Sequence, residues 1–214
     1  MCFFRSLLKF CFLCSLHSIQ VAYSQTQTLC LRDYESNPPD WVTTSIGGVC
    51  ARISNRNYYS RTIEYIKNLP AGSSITYCVE DHVNNPSGWV TTSIGDMCAR
   101  IGNNNYYSRT MRHIEHLPAG SSITYCVEDH VNNPSGWVTT SIGGMCARIG
   151  NNNYYSRTMR NIDSCFCAGF GATPLTYCVE DHVNNPSGWV TTSIGDMCAR
   201  IGNNNYYSRT MRRI

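Results

Sequence analysis

Three copies of an acidic triplet ending in histidine have the residue types of a metal-binding or acid–base site. They are Glu80-Asp81-His82, Glu128-Asp129-His130 and Glu180-Asp181-His182. Carboxylates and imidazoles bind metals and exchange protons. However, the first copy carries Arg32-Asp33-Tyr34 instead, and the helical HExxH spacing of hydrolytic zinc sites is absent. We interpret the triplets as solvated strand ends, with a metal-dependent hydrolase as an alternative function.

A second candidate is the pair of histidines in His113-Ile114-Glu115-His116, which has the spacing of two metal ligands on a helix. The pair occurs once, because the other copies carry different residues there. We interpret both histidines as surface residues of a helix. No GxSxG nucleophile motif is present either, so the sequence predicts no catalytic residue, no metal ligand, no cofactor and no enzymatic activity.

The elements that must position these residues form four tandem repeats. Residues 78–114 and 178–214 are identical except that His113 is replaced by Arg213, and the third copy is almost as similar. Such self-similarity indicates a tandem repeat architecture. We place a signal peptide at residues 1–24 and the repeats at residues 25–70, 71–118, 119–170 (with a diverged linker) and 171–214.

Each repeat contains two cysteines 20 residues apart. Units of this size rarely bury enough apolar surface to fold alone, and closing such a loop contributes about 3 kcal/mol. We predict disulfides within each repeat, with pairing between neighbouring repeats as the alternative. The predicted pairs are Cys30–Cys50, Cys78–Cys98, Cys126–Cys146 and Cys178–Cys198.

Cys165 and Cys167 lie outside this pattern, in the diverged linker of the third repeat. The two thiols are expected to oxidise, either with each other in a strained ring or with a second chain. The second case would give a disulfide-linked dimer. A metal or redox role for the pair is a further alternative.

The first 24 residues have the features of a signal peptide. Arg5 and Lys9 precede the apolar segment 10–16, and Ala22-Tyr23-Ser24 places small residues at the cleavage site. The apolar segment is too short for a stable membrane span, and an uncleaved anchor is the alternative. We predict a secreted, extracellular protein, or a periplasmic one if the source is bacterial. The mature chain would hold 15 basic and 14 acidic residues, a balance that disfavours nucleic-acid binding.

Each repeat is predicted to have a βββα order, which makes the fold class α+β and β-rich. In the second copy the strands are predicted at residues 74–80, 89–94 and 97–101, with a turn at Gly95-Asp96. The following apolar residues have the spacing of one helix face, with a strand, and hence a mainly β repeat, as the alternative. These residues are Tyr107, Met111, Ile114 and Leu117.

The segment Pro86-Ser87-Gly88-Trp89-Val90, followed by Cys98 and the asparagines 103–105, resembles tandem Pro-x-Gly-Trp-Val repeats of uncharacterised bacterial exported proteins. The first copy departs from this pattern with Pro39-Asp40. The resemblance implies export and repetition, and it implies no particular function.

The aromatic residues and asparagines offer a candidate ligand site. One tryptophan per repeat (Trp41, Trp89, Trp137 and Trp189) is predicted to pack on its own disulfide. Tyrosine rings and asparagine amides can bind sugars by stacking and hydrogen bonding. The alternative is a tyrosine-rich surface with no ligand. The predicted ligand-binding residues are Tyr58, Tyr106, Tyr154, Tyr206, Asn104, Asn152 and Asn204.

The sequence therefore predicts a secreted, non-enzymatic repeat protein that acts in multivalent binding, adhesion or surface interaction. Binding would be multivalent because four near-copies supply the same groups four times. The ligand would be a glycan or a protein. Besides the hydrolase, the alternative is a small defence or toxin-like effector or inhibitor that is released as single units.

Overall fold

A computed structural model describes residues 25–81, 83–129, 131–162, 174–180 and 183–214 of the chain. These residues form β-strands, three in each repeat, and contain no helix. The strands are β1 (Thr26–Arg32), β2 (Trp41–Ile53), β3 (Arg56–Tyr65), β4 (Ser74–Glu80), β5 (Trp89–Ile101), β6 (Asn104–His113), β7 (Ser122–Glu128), β8 (Trp137–Ile149), β9 (Asn152–Asn161), β10 (Leu175–Glu180), β11 (Trp189–Ile201) and β12 (Asn204–Arg213).

Each repeat forms one antiparallel sheet in which its third strand is central. The strand orders are β1-β3-β2, β4-β6-β5, β7-β9-β8 and β10-β12-β11. In the second repeat, β4 pairs with β6 without interruption from Ser74 opposite Arg112 to Glu80 opposite Tyr106. A two-residue loop joins β5 to β6, and its first residue, Gly102, has a φ of 56° that glycine adopts without strain.

The predicted α+β class is wrong, because the segment predicted as a helix contains the central strand. Tyr107 and Met111 lie in β6, and Ile114 and Leu117 follow it. Tyr107 and Ile114 pack on the next repeat, whereas Met111 packs on the preceding one. A sheet that is covered on both faces loses the alternation of apolar and polar residues. The apolar residues therefore have the spacing of a helix face although most of the segment is a strand. The fold is all-β.

The second and third predicted strands are a single strand. Along β5 the register moves from Ile94 opposite Arg109 to Met97 opposite Tyr107, so Gly95 and Asp96 form a bulge, not a turn. Further register shifts occur on both sides of this point. Bulges bend a strand and increase its twist, so β5 curves around β6.

The four predicted disulfides within repeats are confirmed. Cys78–Cys98 joins β4 to β5, the two edge strands of one sheet. In a flat sheet these strands would lie about 9.5 Å apart, yet the two Cα atoms are 6.0 Å apart. The sheet therefore curls until its edges meet, and the disulfide closes it. Cys165 and Cys167 lie outside the described residues.

The hydrophobic core lies between repeats. Val90 and Ile114 of the second repeat pack against a cluster from the third repeat, and equivalent clusters occupy the junctions before and after it. The third-repeat members are Ile123, Tyr125, Trp137 and Met159. The repeats are thus stacked, and each sheet contributes half of a core to each neighbour.

Trp89, Trp137 and Trp189 pack in these junctions and not on their own disulfides, whereas Trp41 contacts the ring of Tyr65. Trp89 belongs to the cluster of Met111 and Ile75, whereas Cys78 belongs to a separate cluster with Ile101. In the described part of the chain, no helix has the length and apolarity needed to cross a membrane.

Candidate functional site

Each junction joins a tyrosine hydroxyl to a carboxylate of the preceding repeat. Between the second and third repeats, the Tyr154 hydroxyl donates to Asp81 Oδ1 at 2.7 Å, and the Asn152 amide donates to Asp81 Oδ2 at 3.4 Å. The other two junctions repeat the tyrosine contact at 2.7 and 2.6 Å, with Tyr106 on Asp33 and Tyr206 on Asp129.

A buried arginine holds each acidic loop in place. The Arg109 guanidinium donates to the backbone oxygens of Asp81 at 2.7 Å and Val83 at 3.0 Å. It also lies 3.5 Å from the Asp81 carboxylate and 5.9 Å from the centre of the Tyr154 ring. Asp81 is therefore part of a packed junction, and its interpretation as a solvated strand end is wrong.

The junction tyrosines are held in their neutral form. Burial, and then the hydrogen bond to Asp33, raises the pKa of Tyr106 well above the ordinary tyrosine value of about 10. Burial, and then Asp81 or Asp129, raises the pKa of Tyr154 and of Tyr206 in the same direction. Each hydroxyl thus stays protonated and donates a hydrogen bond to the carboxylate across the junction.

Most of the predicted ligand-binding residues make contacts within the molecule. Tyr106, Tyr154 and Tyr206 are buried, and Asn104, Asn152 and Asn204 donate to the junction aspartates. Tyr58, in the first repeat, accepts a hydrogen bond from Arg32 Nε at 2.9 Å. Ligand binding by these residues stays a prediction, and their observed role is to join repeats.

The second tyrosine of each pair was not among the predicted ligand-binding residues. Neighbouring residues on a strand point to opposite faces, so Tyr106 packs on the first repeat while Tyr107 faces the third. Tyr107 is half-buried and lines a groove, as does Tyr155 one repeat later. This alternation was the signal that could have identified them.

Two equivalent grooves, which we call the hairpin grooves, lie beside the hairpin loops of the second and third repeats. Their volumes are about 350 and 340 Å³, and the next repeat completes each one. Both combine two carboxylates, three asparagines and one tyrosine. The first groove contains Glu80, Asp81, Asn103, Asn104, Asn105 and Tyr107, and the second contains Glu128, Asp129, Asn151, Asn152, Asn153 and Tyr155.

The hairpin grooves offer hydrogen-bond acceptors, amide donors and an aromatic ring side by side. Asn103 and Asn105 are exposed, so their amides can contact a ligand, whereas Asn104 already donates to Glu80 and Asp33. A second pair of clefts lies between successive Asn-Asn-Pro turns. Their volumes differ, at about 380 and 650 Å³, and the larger one involves the last repeat.

In the described part of the chain, no three His, Cys, Asp or Glu side chains come together as metal ligands. His82, His130 and the pair Asp181-His182 lie outside the described residues. In the first triplet, Glu80 ends β4 and Asp81 belongs to the junction.

The two histidines of the second candidate point to different environments. His113 is buried, stacks on Trp89 with ring centres 4.8 Å apart, and places Nδ1 at 2.9 Å from the Leu69 backbone oxygen. Its assignment to a helix surface is therefore wrong. His116 is exposed, but it lies in a turn. Both Nε2 atoms lie near the Glu115 carboxylate, with His113 at 3.8 Å from Oε2 and His116 at 3.9 Å from Oε1, and the described residues contain no cluster of three metal-ligating side chains.

Comparison with known proteins finds no family model, no curated protein and no solved structure that matches this chain. The geometry of the junctions and hairpin grooves is thus the basis for a functional proposal.

Proposed function

We propose that this protein is an exported, non-enzymatic repeat protein that binds glycans multivalently through its hairpin grooves. The observation that supports the proposal is the occurrence of two grooves with the same residue types and nearly the same volume, one repeat apart. The four disulfides fit an oxidising compartment, in which such bonds form and persist.

The groove chemistry suits a neutral sugar. Sugar hydroxyls donate to carboxylates and exchange hydrogen bonds with amides, which Glu80, Asn103 and Asn105 supply. Tyr107 adds an aromatic edge beside them. The groove contains no cationic side chain among the residues that line it in the described chain, so an anionic ligand would meet carboxylates without a counter-charge.

Repetition supports binding over catalysis. An enzyme builds one asymmetric pocket from different parts of its chain, whereas this fold presents the same groups in successive repeats. A ligand with a repeating sugar unit that occupied both grooves would bind the second as an intramolecular event. Its avidity would exceed that of a single groove by about 10²–10⁴-fold if the spacing matches.

The test is binding of an oligosaccharide panel, measured by glycan array and then by calorimetry on the sugars that bind. The double variant Asn103→Ala/Asn151→Ala removes one exposed amide from each groove, and we expect it to lose about tenfold or more in affinity, because a ligand hydrogen bond to each amide is lost.

The matched control is Asn203→Ala, because this exposed asparagine is at the corresponding position of the last repeat and lines neither of the two hairpin grooves. This variant should bind like the wild type. A panel without any bound sugar, or equal affinity of the double variant and the wild type, would contradict the proposal.

A further inference from the structure

An exposed arginine lies beside each of the two hairpin grooves. In the second repeat, Arg100 is directly opposite Asn105 in the pairing of β5 with β6, and in the third repeat Arg148 is directly opposite Asn153. Residues paired in this way share one face of the sheet, with Cβ atoms about 4.5–5.5 Å apart. Because Asn105 and Asn153 each line a hairpin groove, each arginine flanks a groove.

The sheet separates this arginine from the carboxylate at the end of β4. Asn105 and Tyr107 are two residues apart on β6, so they share the face that is turned towards the third repeat. Arg100 shares that face through its pairing with Asn105. Glu80 pairs with Tyr106 and therefore lies on the opposite face, on the other edge strand. The groove thus has an acidic end at β4 and a cationic border at β5.

The two flanking guanidinium groups are accessible to a ligand. Arg100 is exposed and makes no hydrogen bond, ion pair or ring contact with the described residues. Arg148 is exposed too, and its Nε donates to the Gly150 backbone oxygen at 3.4 Å. Arg109, by contrast, is buried and bonded to the acidic loop. A planar guanidinium matches the two oxygens of a carboxylate, so the accessible pair suits a carboxylate ligand.

We propose that the hairpin grooves and their flanking arginines bind an acidic glycan in which a uronic acid alternates with a neutral sugar. This inference rests on the proposed function and specifies its ligand. The neutral unit occupies the groove, whose carboxylates repel a second negative charge, and the carboxylate of the adjoining unit pairs with Arg100 or Arg148. The same arrangement recurs one repeat further along the chain, so a polymer with a repeating acidic unit makes the contact twice.

The test compares two probes that have the same sugar backbone. One is an oligosaccharide of alternating glucuronic acid and N-acetylglucosamine, and the other is its carboxyl-reduced counterpart. Calorimetry should show that the wild type binds the acidic probe about fivefold more tightly, because an exposed ion pair contributes modestly to affinity. This preference should disappear at an ionic strength of about 1 M, where charges are screened beyond about 3 Å.

The double variant Arg100→Gln/Arg148→Gln removes both flanking charges. It should bind the two probes equally, with its affinity for the carboxyl-reduced probe unchanged. The matched control is Arg112→Gln/Arg160→Gln, which removes the same charge from the same two repeats. Both control arginines are exposed and lie at the far ends of β6 and β9, about 20 Å or more along the strand from the asparagines of the grooves. The control should keep the full preference.

Four outcomes overturn the inference. They are binding of neither probe, equal binding of both probes by the wild type, an undiminished preference in Arg100→Gln/Arg148→Gln, and an equal loss of preference in the Arg112→Gln/Arg160→Gln control. The proposed function is judged separately, by whether Asn103→Ala/Asn151→Ala weakens binding of the carboxyl-reduced probe or of a neutral sugar from the panel. A groove that binds neutral sugars without any preference for the acidic probe therefore keeps the proposed function and rejects the acidic ligand.

Discussion

The second and fourth repeats have nearly the same sequence but differ in burial. Residues 78–114 and 178–214 differ at one position, yet Ile114 is buried while Ile214 is exposed, and Trp89 is buried while Trp189 is partly exposed. Met111 and Met211, which both pack on the preceding repeat, are both fully buried. Ile114 lies on the face towards the next repeat, whereas Trp89 and Trp189 lie on the face towards the preceding repeat.

This comparison shows that burial is decided by the neighbouring repeat. A single repeat holds a disulfide and two half-cores, and it completes neither half-core alone. Solenoid proteins share this property, because nearest-neighbour interfaces supply much of their stability. An isolated repeat would expose both faces, which disfavours the alternative of an effector that is released as single units.

The largest expected difference between the two repeats is in a pair of identical substitutions. Ile114→Ala should destabilise the protein by about 2–5 kcal/mol, because it opens a cavity in the junction core. Ile214→Ala should change stability by about 0.5 kcal/mol or less, because the side chain is exposed. Urea denaturation at low protein concentration measures both, and similar losses would contradict a core that lies between repeats.

Disulfide removal should have the same effect in both repeats. Cys78→Ala/Cys98→Ala and Cys178→Ala/Cys198→Ala each open a loop of the same length, so each should cost about 3 kcal/mol, because the cross-link acts mainly on the unfolded chain. Denaturation of the two double variants under non-reducing conditions compares them. A much smaller loss for the last repeat would show that its disulfide acts through native packing instead.

Ionisation of the junction tyrosines is expected to have the smallest effect on stability at neutral pH. This effect becomes larger in alkali. Because the pKa values of Tyr106, Tyr154 and Tyr206 are raised in the folded protein, their stabilising contribution is complete below the unfolded value of about 10. It is lost as pH rises from there towards the folded values. Unfolding measured against pH should show stability falling above about pH 10.

A triple Tyr→Phe variant at these positions is the control for that measurement. Phenylalanine cannot ionise, so the variant should start less stable at neutral pH and lose less stability in alkali. The last repeat contributes Tyr206 to the junction before it, so it takes part in the effect. An identical pH profile for the variant and the wild type would contradict the assigned role of the hydroxyls.

The sequence was sufficient for some elements and misleading for others. The spacing of Cys78 and Cys98 identified a real disulfide, and residues 74–80 were recognised as a strand. The helix prediction failed at Tyr107 and Met111, because these residues pack on opposite neighbours. Asp81 was misassigned because its partner Tyr154 lies 73 residues away, a distance that no local pattern covers.

The hairpin grooves, too, could be predicted from the sequence only in part. One asparagine of each groove, Asn104 or Asn152, was predicted as a ligand-binding residue from local composition, and its two neighbours were not. However, each groove is completed by the following repeat, at Ile149 or at Ile201. A groove of this kind exists only once two repeats are in contact, and its second tyrosine was therefore missed.

The sequence by itself determined the number of repeats, the partners of eight cysteines and most of the strand-forming segments, because these follow from local residue preferences and exact repetition. Only the tertiary structure decided which faces are buried, which tyrosine joins two repeats and where a ligand could enter. The physical reason is that apolar burial requires two surfaces. At the three junctions the second surface belongs to the neighbouring repeat.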